Sequence, residues 1–324
     1  MKQMPLEKRK VTSSRLVLGC MGFGGEWDHS PLAETDVKKL REAVETALEI
    51  GITMFDHADI YRMGKAEQAF GRVLKEKPGL RERLVLQSKC GIRLDDGRLP
   101  RRYDFSKAHI LASVDGILSR LGTDYLDILL LHRPDVLMEP EEVAEAFAIL
   151  KQAGKVRHFG VSNMNADQIR FIRAYTDEPI IVNQLEMNLV HNDWANHAVL
   201  VNQRQGASLN FSDGLVEYCR LHDVQLQAWA PLAKGLLTGA PMPDDAPQAV
   251  RRTRDLVAQM AREKETTPEA IVLGWLMRHP AMIQPVIGTT NPGRIRNCAD
   301  AVRQAEHMTR DEWYTLFAAA RGEW

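Results

Sequence analysis

A short β-rich run followed by a helical pattern repeats eight times along this 324-residue chain, and that alternation limits the folds open to it. Strands are expected at Leu16–Gly19, Ile52–Asp56, Leu84–Ser88, Ile128–Leu131, His158–Val161, Ile180–Asn183, Gln225–Ala228 and Ile283–Ile287. Several are continuously apolar, Ile128-Leu129-Leu130-Leu131 most clearly. Such runs suit strands covered on both faces, as in a parallel sheet. Between them, Asp36 to Ile50 carries Val37, Leu40, Val44 and Leu48 at helical spacing, with Gly51 as the stop. Ser106 caps a second helix whose apolar face is Ile110, Val114, Ile117, Leu118 and Leu121, ended by Gly122. Glu141 to Ala153 repeats the pattern with Val143, Phe147 and Leu150 before Gly154.

Eight strand-helix units read as a closed barrel or a doubly wound sheet. The count favours the barrel. A doubly wound nucleotide-binding sheet calls for G-x-G-x-x-G after its first strand. Here Gly19-Cys20-Met21-Gly22-Phe23-Gly24-Gly25 has a different spacing and opens no helix. There is no P-loop either. The expected fold is therefore α/β, a (β/α)8 TIM barrel. A barrel of this type runs to about 250 residues before insertions, so a single domain over 1–324 is expected. No Pro/Gly/Ser-rich linker divides the chain. Three irregular stretches, Arg93–Phe105, Asn188–Ala207 and Leu236–Gln248, follow strands and would overhang the C-terminal mouth as substrate or lid loops.

Charge and cysteine content narrow the function. Lys plus Arg (42) nearly balances Asp plus Glu (43), which gives no electrostatic case for nucleic acid or an anionic membrane. Cys20, Cys90, Cys219 and Cys298 form no C-x-x-C pair and read as reduced thiols. No apolar run approaches the roughly 18 residues of a membrane span, and Met1 to Lys10 is charged without an apolar core. A soluble cytoplasmic protein, monomeric or a small homo-oligomer, without bound metal, is the expectation.

The most informative residues are polar and stand at strand ends. Asp56 closes the second strand, with Tyr61 five residues on; Lys89 follows the third and His132 the fourth. Ser162-Asn163, Gln184, Trp229 and Gly288-Thr289-Thr290 follow the next four. Each alone has a plainer reading: a turn-capping Asp, a salt-bridged Lys, a hydrogen-bonded loop His, a packed Tyr. A barrel, however, brings neighbouring strand ends together. A phenol with a reference pKa of about 10 is a poor proton donor at neutral pH. A nearby ammonium favours the phenolate, a carboxylate orients that ammonium, and an imidazole can hydrogen-bond a substrate carbonyl oxygen. Such a set suits a carbonyl carbon that gains hydride while its oxygen gains a proton.

In these motifs the chain resembles the aldo-keto reductase family. The resemblance rests on Phe55-Asp56-His57-Ala58-Asp59-Ile60-Tyr61, Gln87-Ser88-Lys89, Leu131-His132, Gly160-Val161-Ser162-Asn163, Asn183-Gln184 and Ile287-Gly288-Thr289-Thr290-Asn291-Pro292. It covers nearly the whole chain, and the ordered set is far more specific than any one motif. It implies a tetrad of Asp56, Tyr61, Lys89 and His132 with Tyr61 as general acid/base. It further implies that Ser162, Asn163 and Gln184 contact a nicotinamide carboxamide and that the ring stacks on Trp229, where relatives often have Tyr. Pro231, Leu232, Lys234 and Gly235 would wrap the pyrophosphate; Met21, Gly22 and Asp56 would also approach the cofactor.

The other end of a dinucleotide would lie at Gly288-Thr289-Thr290-Asn291-Pro292-Gly293-Arg294. Asn291 suits an N-cap and Pro292 a first helical turn. Arg294 and Arg296 add charge, although solvated arginines on an ordinary capped helix are the plainer reading. In the family this segment holds the ribose 2′-phosphate, so Arg294 points to NADP(H), with NAD as the alternative cofactor. Many relatives have Lys where Gly288 stands and Glu-Asn where Asn297-Cys298 stands.

The reading is a NADPH-dependent oxidoreductase that reduces an aldehyde or ketone. A nicotinamide-binding regulatory subunit with little turnover is the alternative, because channel-associated relatives keep the tetrad. A Schiff-base lyase using Lys89 would leave the cofactor segment without purpose. Trp27, Arg93, Arg133, Trp194 and Phe211 are the expected pocket-lining residues.

Overall fold

A computed structural model describes residues 3–322. Eight parallel strands close into a barrel in chain order. They are β1 (Val17–Gly19), β2 (Met54–Asp56), β3 (Val85–Cys90), β4 (Leu126–Leu131), β5 (Val156–Ser162), β6 (Ile180–Glu186), β7 (Gln225–Trp229) and β8 (Gln284–Ile287). Closure comes from β1, which pairs with both β2 and β8. All eight expected strands are present. Four of them, β3, β5, β6 and β7, run further toward the C-terminal rim than hydropathy alone indicates. β3 continues through Lys89 to Cys90, and β6 through Gln184 to Glu186, because main-chain ladder bonds do not require apolar side chains.

The helices form where the apolar spacing places them. Glu34–Glu49 buries Val37, Leu40 and Val44, and Gly51 takes a positive φ of 81° just past its end. Lys107–Leu121 begins with Ser106 accepting the His109 amide and buries all five expected apolar positions. Pro140–Gln152 buries Val143, Phe147 and Leu150.

The lumen floor is apolar. Val17, Met54, Ile128 and Val286 pack there, and Leu6, from the short helix Pro5–Lys8, joins the same cluster and plugs the base.

Two stretches expected to be irregular carry local structure. Arg102–Tyr103 pairs antiparallel with Ile92–Arg93 above β3, and Asp193–Val199 is a helix within the segment after β6. The ribbon depends on Gly91, at φ +103°. A Cβ there would stand 2.2 Å from the Phe105 ring, so only glycine lets the ribbon fold back. Leu236–Gln248 is irregular up to the start of helix Gln248–Glu263. Among the described residues no helix is long and apolar enough to cross a membrane.

Candidate active site

The chain leaves β2 at Asp56 and stays beside β3. The His57 amide donates to the Gln87 carbonyl at 2.8 Å, and the Asp59 amide to the Lys89 carbonyl at 3.0 Å. Tyr61 then opens a tight turn, Tyr61–Gly64, in which Arg62 and Met63 take positive φ of 53° and 57°. This path hangs the Tyr61 phenol over the end of β3. Lys89 is 1% exposed, and its ammonium donates to Asp56 Oδ2 at 2.6 Å, to the His57 carbonyl at 2.8 Å and to Tyr61 Oη at 3.1 Å. His132 follows β4, its amide held by the Cys90 carbonyl at 2.9 Å. Its ring lies edge-on to Tyr61, with centroids 6.0 Å apart. The four residues expected to act together therefore meet at one rim.

Their electrostatics differ in one respect from the sequence expectation. Burial raises the Tyr61 phenol above its ordinary value, and Lys89 only partly offsets this. Burial works against the Lys89 ammonium, but Asp56 and Tyr61 outweigh it, leaving that group above its usual value. Burial, reinforced by Lys89, holds His132 well below the ordinary imidazole range, so the ring is neutral at pH 7. Its Nδ1 has no hydrogen-bond partner among the described residues.

The cofactor candidates cluster beside this set. Asn163, at a positive φ of 58°, ties three strand ends together. Its Nδ2 donates to the His132 carbonyl at 3.3 Å and to Ser162 Oγ at 2.8 Å, and its Oδ1 accepts Trp229 Nε1 at 3.1 Å. The Trp229 indole is thus pinned edge-on at one end while remaining partly exposed. Ser162 Oγ donates to the Gln184 carbonyl at 2.8 Å. After Trp229 the chain coils tightly, with Ala230, Ala233, Lys234 and Gly235 at positive φ, Pro231 buried and Lys234 exposed. Across the mouth, Met21 is exposed, and a Cβ on Gly22 would stand 2.8 Å from Thr290 Cγ2. The turns after β1 and β8 therefore meet, with Gly288 and Thr289 alongside. Asn291 accepts the Arg294 amide at 3.2 Å and caps the six-residue helix Pro292–Asn297. Arg296 is bound to Glu49 at 3.0 Å. The exposed Arg294 side chain has no ion-pair partner among the described residues.

Gln184 departs from its expected place. It is 3% exposed, and its Nε2 donates inward, to Asp56 Oδ1 at 3.1 Å and Gln227 Oε1 at 3.0 Å. Gln87, Gln227 and Gln284 extend this contact into the lumen, and sequence reasoning gave none of them a role. The available signal was glutamine inside otherwise apolar strands, as in Gln225-Leu226-Gln227-Ala228. A second ionisable set stands behind the tetrad, buried Glu67 with half-buried Asp59 and Arg120: Glu67 accepts Ser88 Oγ at 2.7 Å and Arg120 Nε at 2.8 Å.

A cavity of about 410 Å³ opens beside Trp229 and Asn163. Arg133, Trp194 and Phe211 line it as expected, together with Glu186, Asn210 and Ser212. Trp27 and Arg93 do not. The Arg62 guanidinium sits 5.4 Å from the centre of the Trp27 ring, and Arg93 pairs with Asp104 at 2.9 Å across the ribbon. Trp194 is mostly a packing residue, edge-on to Trp275 and His279.

Known proteins share this fold and much of this sequence. An oxidoreductase of Bacillus subtilis without assigned activity is 36% identical over 314 residues, covering 95% of each chain. A 6-dehydroglucose reductase of Agrobacterium fabrum is 35% identical over 318 residues, 97% of this chain and 96% of that one. The glycerol dehydrogenase of Gluconobacter oxydans has the same fold at 23% identity, with a TM-score of 0.76 over 96% of this chain and 92% of that one. The sequence profile of the aldo/keto reductase family matches residues 15–318, and the chain belongs to that family.

Proposed function

We propose that this chain is a NADPH-dependent reductase that converts an aldehyde or ketone to an alcohol, with Tyr61 as the proton donor. The observation that carries the reading is the Lys89 ammonium, buried between Asp56 Oδ2 and Tyr61 Oη at the barrel mouth. Because Tyr61 Oη accepts from Lys89, its own proton is free to point toward a substrate oxygen. When that proton leaves, the ammonium 3.1 Å away stabilises the phenolate. Neutral His132 presents an uncharged imidazole N–H to the same oxygen and fixes its direction. Asp56 holds Lys89 in place.

The residues fit a dinucleotide. Trp229 offers a flat, partly exposed face pinned by Asn163; Gly22 and Gly288 leave the backbone open at the β1 and β8 turns; Arg294 is an unpaired cation for a 2′-phosphate. The ring's carboxamide would meet Ser162 and Asn163, and Gln184 Oε1, the side-chain oxygen, would remain for it. Leu232, Lys234 and Gly235 would follow the pyrophosphate. When bound, NADPH supplies the hydride to the carbonyl carbon.

The cavity mixes an indole wall with Arg133, Glu186, Asn210 and Ser212, which suits a hydroxylated carbonyl compound better than a plain hydrocarbon one. The 6-dehydroglucose reductase among the relatives supports the same class. Fluorescence titration with NADPH and NADH, followed by a panel of hydroxylated and unsubstituted aldehydes, tests this. NADPH is expected to bind more tightly, and kcat/KM to favour the hydroxylated compounds. Tyr61→Phe is expected to bind NADPH and turn over none of them; near-normal reduction by that variant would remove Tyr61 from its role. Tight NADPH binding without any reducible substrate would favour a regulatory subunit instead.

A further inference from the structure

Barrel interiors are usually filled by layers of branched apolar side chains. The lower lumen follows that rule, but the layer under Asp56 is built from primary amides. Gln87, Gln227 and Gln284 are fully buried, and Gln184 nearly so. The strand register sets them side by side: Asp56 opposite Gln87, and Gln184, Gln227 and Gln284 in one row across β6, β7 and β8. Burying four amides costs more than burying four aliphatic chains unless each is bonded.

The bonding has a direction. At the barrel floor, Gln284 Nε2 donates to the Ser14 carbonyl at 2.6 Å. A main-chain carbonyl only accepts, so the Gln284 amide must turn its own oxygen upward. That oxygen accepts Gln227 Nε2 at 2.9 Å, which turns the Gln227 oxygen upward in turn. Gln227 Oε1 accepts Gln87 Nε2 at 2.9 Å and Gln184 Nε2 at 3.0 Å. Each of those NH₂ groups has a second hydrogen. Both second hydrogens meet one atom, Asp56 Oδ1, at 2.6 Å from Gln87 and 3.1 Å from Gln184.

We infer that this amide ladder aims Asp56, and that Gln227 is the positioning residue at its branch point. Gln227 fixes the rotation of two amides that hold one carboxylate oxygen. The other oxygen is thereby presented to Lys89, and Lys89 to Tyr61. Gln227 touches neither substrate nor cofactor in this arrangement. The inference rests on the tetrad reading given above.

The test uses the full chain and compares wild type with Gln227→Met, Gln227→Glu and Tyr61→Phe. Gln227→Met is expected to lower kcat about tenfold, the size of one hydrogen bond between neutral groups, while NADPH binding and carbonyl KM move by less than about twofold. In Gln227→Glu, the protonated carboxyl accepts from Gln87 and Gln184 and donates to Gln284, as the amide does. Once ionised, it loses that donor and puts a second negative charge beside Asp56. Activity close to wild type at low pH is therefore expected, falling with rising pH through a limb that wild type lacks. If Gln227→Met does not fold, the limb in Gln227→Glu decides alone. A folded Gln227→Met with wild-type kcat, or Gln227→Glu without a new limb, overturns the inference. An active Tyr61→Phe would instead overturn the tetrad reading, so the two failures are distinguishable.

Discussion

Asp59, two residues before Tyr61, carries a carboxyl that pH should turn from neutral to charged within the folded protein. Burial first, then the nearby Glu67, raises its pKa from 3.8 to about 7, with Arg120 as a partial offset. Its Oδ1 is shielded from solvent and has no hydrogen-bond partner among the described residues. In the unfolded chain the same group titrates near its ordinary value. Between these two values the native state holds a proton that the unfolded state has lost, so stability falls as pH rises. The contribution is fully present below about pH 4 and gone above about pH 7. Asp59→Asn has the same shape and no titration. At about 1.4 kcal/mol per unit, the stability gap between variant and wild type should widen by up to about 3 kcal/mol between pH 5 and pH 8.5. The residue is only half-buried, and solvent screening reduces this to about 1–2 kcal/mol. Urea unfolding of both proteins across that range measures the gap. Parallel stability curves, or a gap that narrows with pH, would show that Asp59 is not protonated in the folded protein near neutral pH.

Three further outcomes are expected. Lys89→Met should lower kcat by at least about 100-fold and cost about 3–5 kcal/mol in urea unfolding, because Asp56 keeps its burial and loses its ion pair. The kcat for reduction should be level from pH 6 to pH 9 and fall only above about 10, since Tyr61 and Lys89 both stand above their ordinary values and His132 is already neutral; a break near 6.5 would contradict the His132 assignment. Gly91→Ala should lose at least about 2 kcal/mol of stability from the Phe105 collision and the positive φ together, which thermal unfolding will detect.

How much of this could be read from the chain depends on where each interaction's partner lies. The strands announce themselves because a sheet covered on both faces needs apolar runs, and Asp56, Lys89 and His132 stand out by ending those runs. Their convergence then follows from the topology. The Arg102–Tyr103 ribbon was not legible, since a two-residue strand has no period and its cause is the Gly91–Phe105 approach. Helix Asp193–Val199 was missed because its Asp, Asn and His content resembles loop composition. The upward shift of Tyr61 depends on burial, which neighbouring residue types do not reveal. The glutamine ladder depends on Gln87 meeting Gln227 across the lumen, 140 positions away in sequence. Glutamines within β-runs were visible; their shared target was not.

Under the proposed mechanism, hydride reaches a carbonyl carbon held over Tyr61. Incubating the protein with a hydroxylated aldehyde and NADPH deuterated at the transferable C4 position, then examining the alcohol by mass spectrometry and NMR, tests it directly. One deuterium on the former carbonyl carbon, absent when Tyr61→Phe replaces wild type, is the predicted result. Alcohol formed without label at that carbon, or labelled equally well by the Tyr61→Phe variant, would rule the mechanism out.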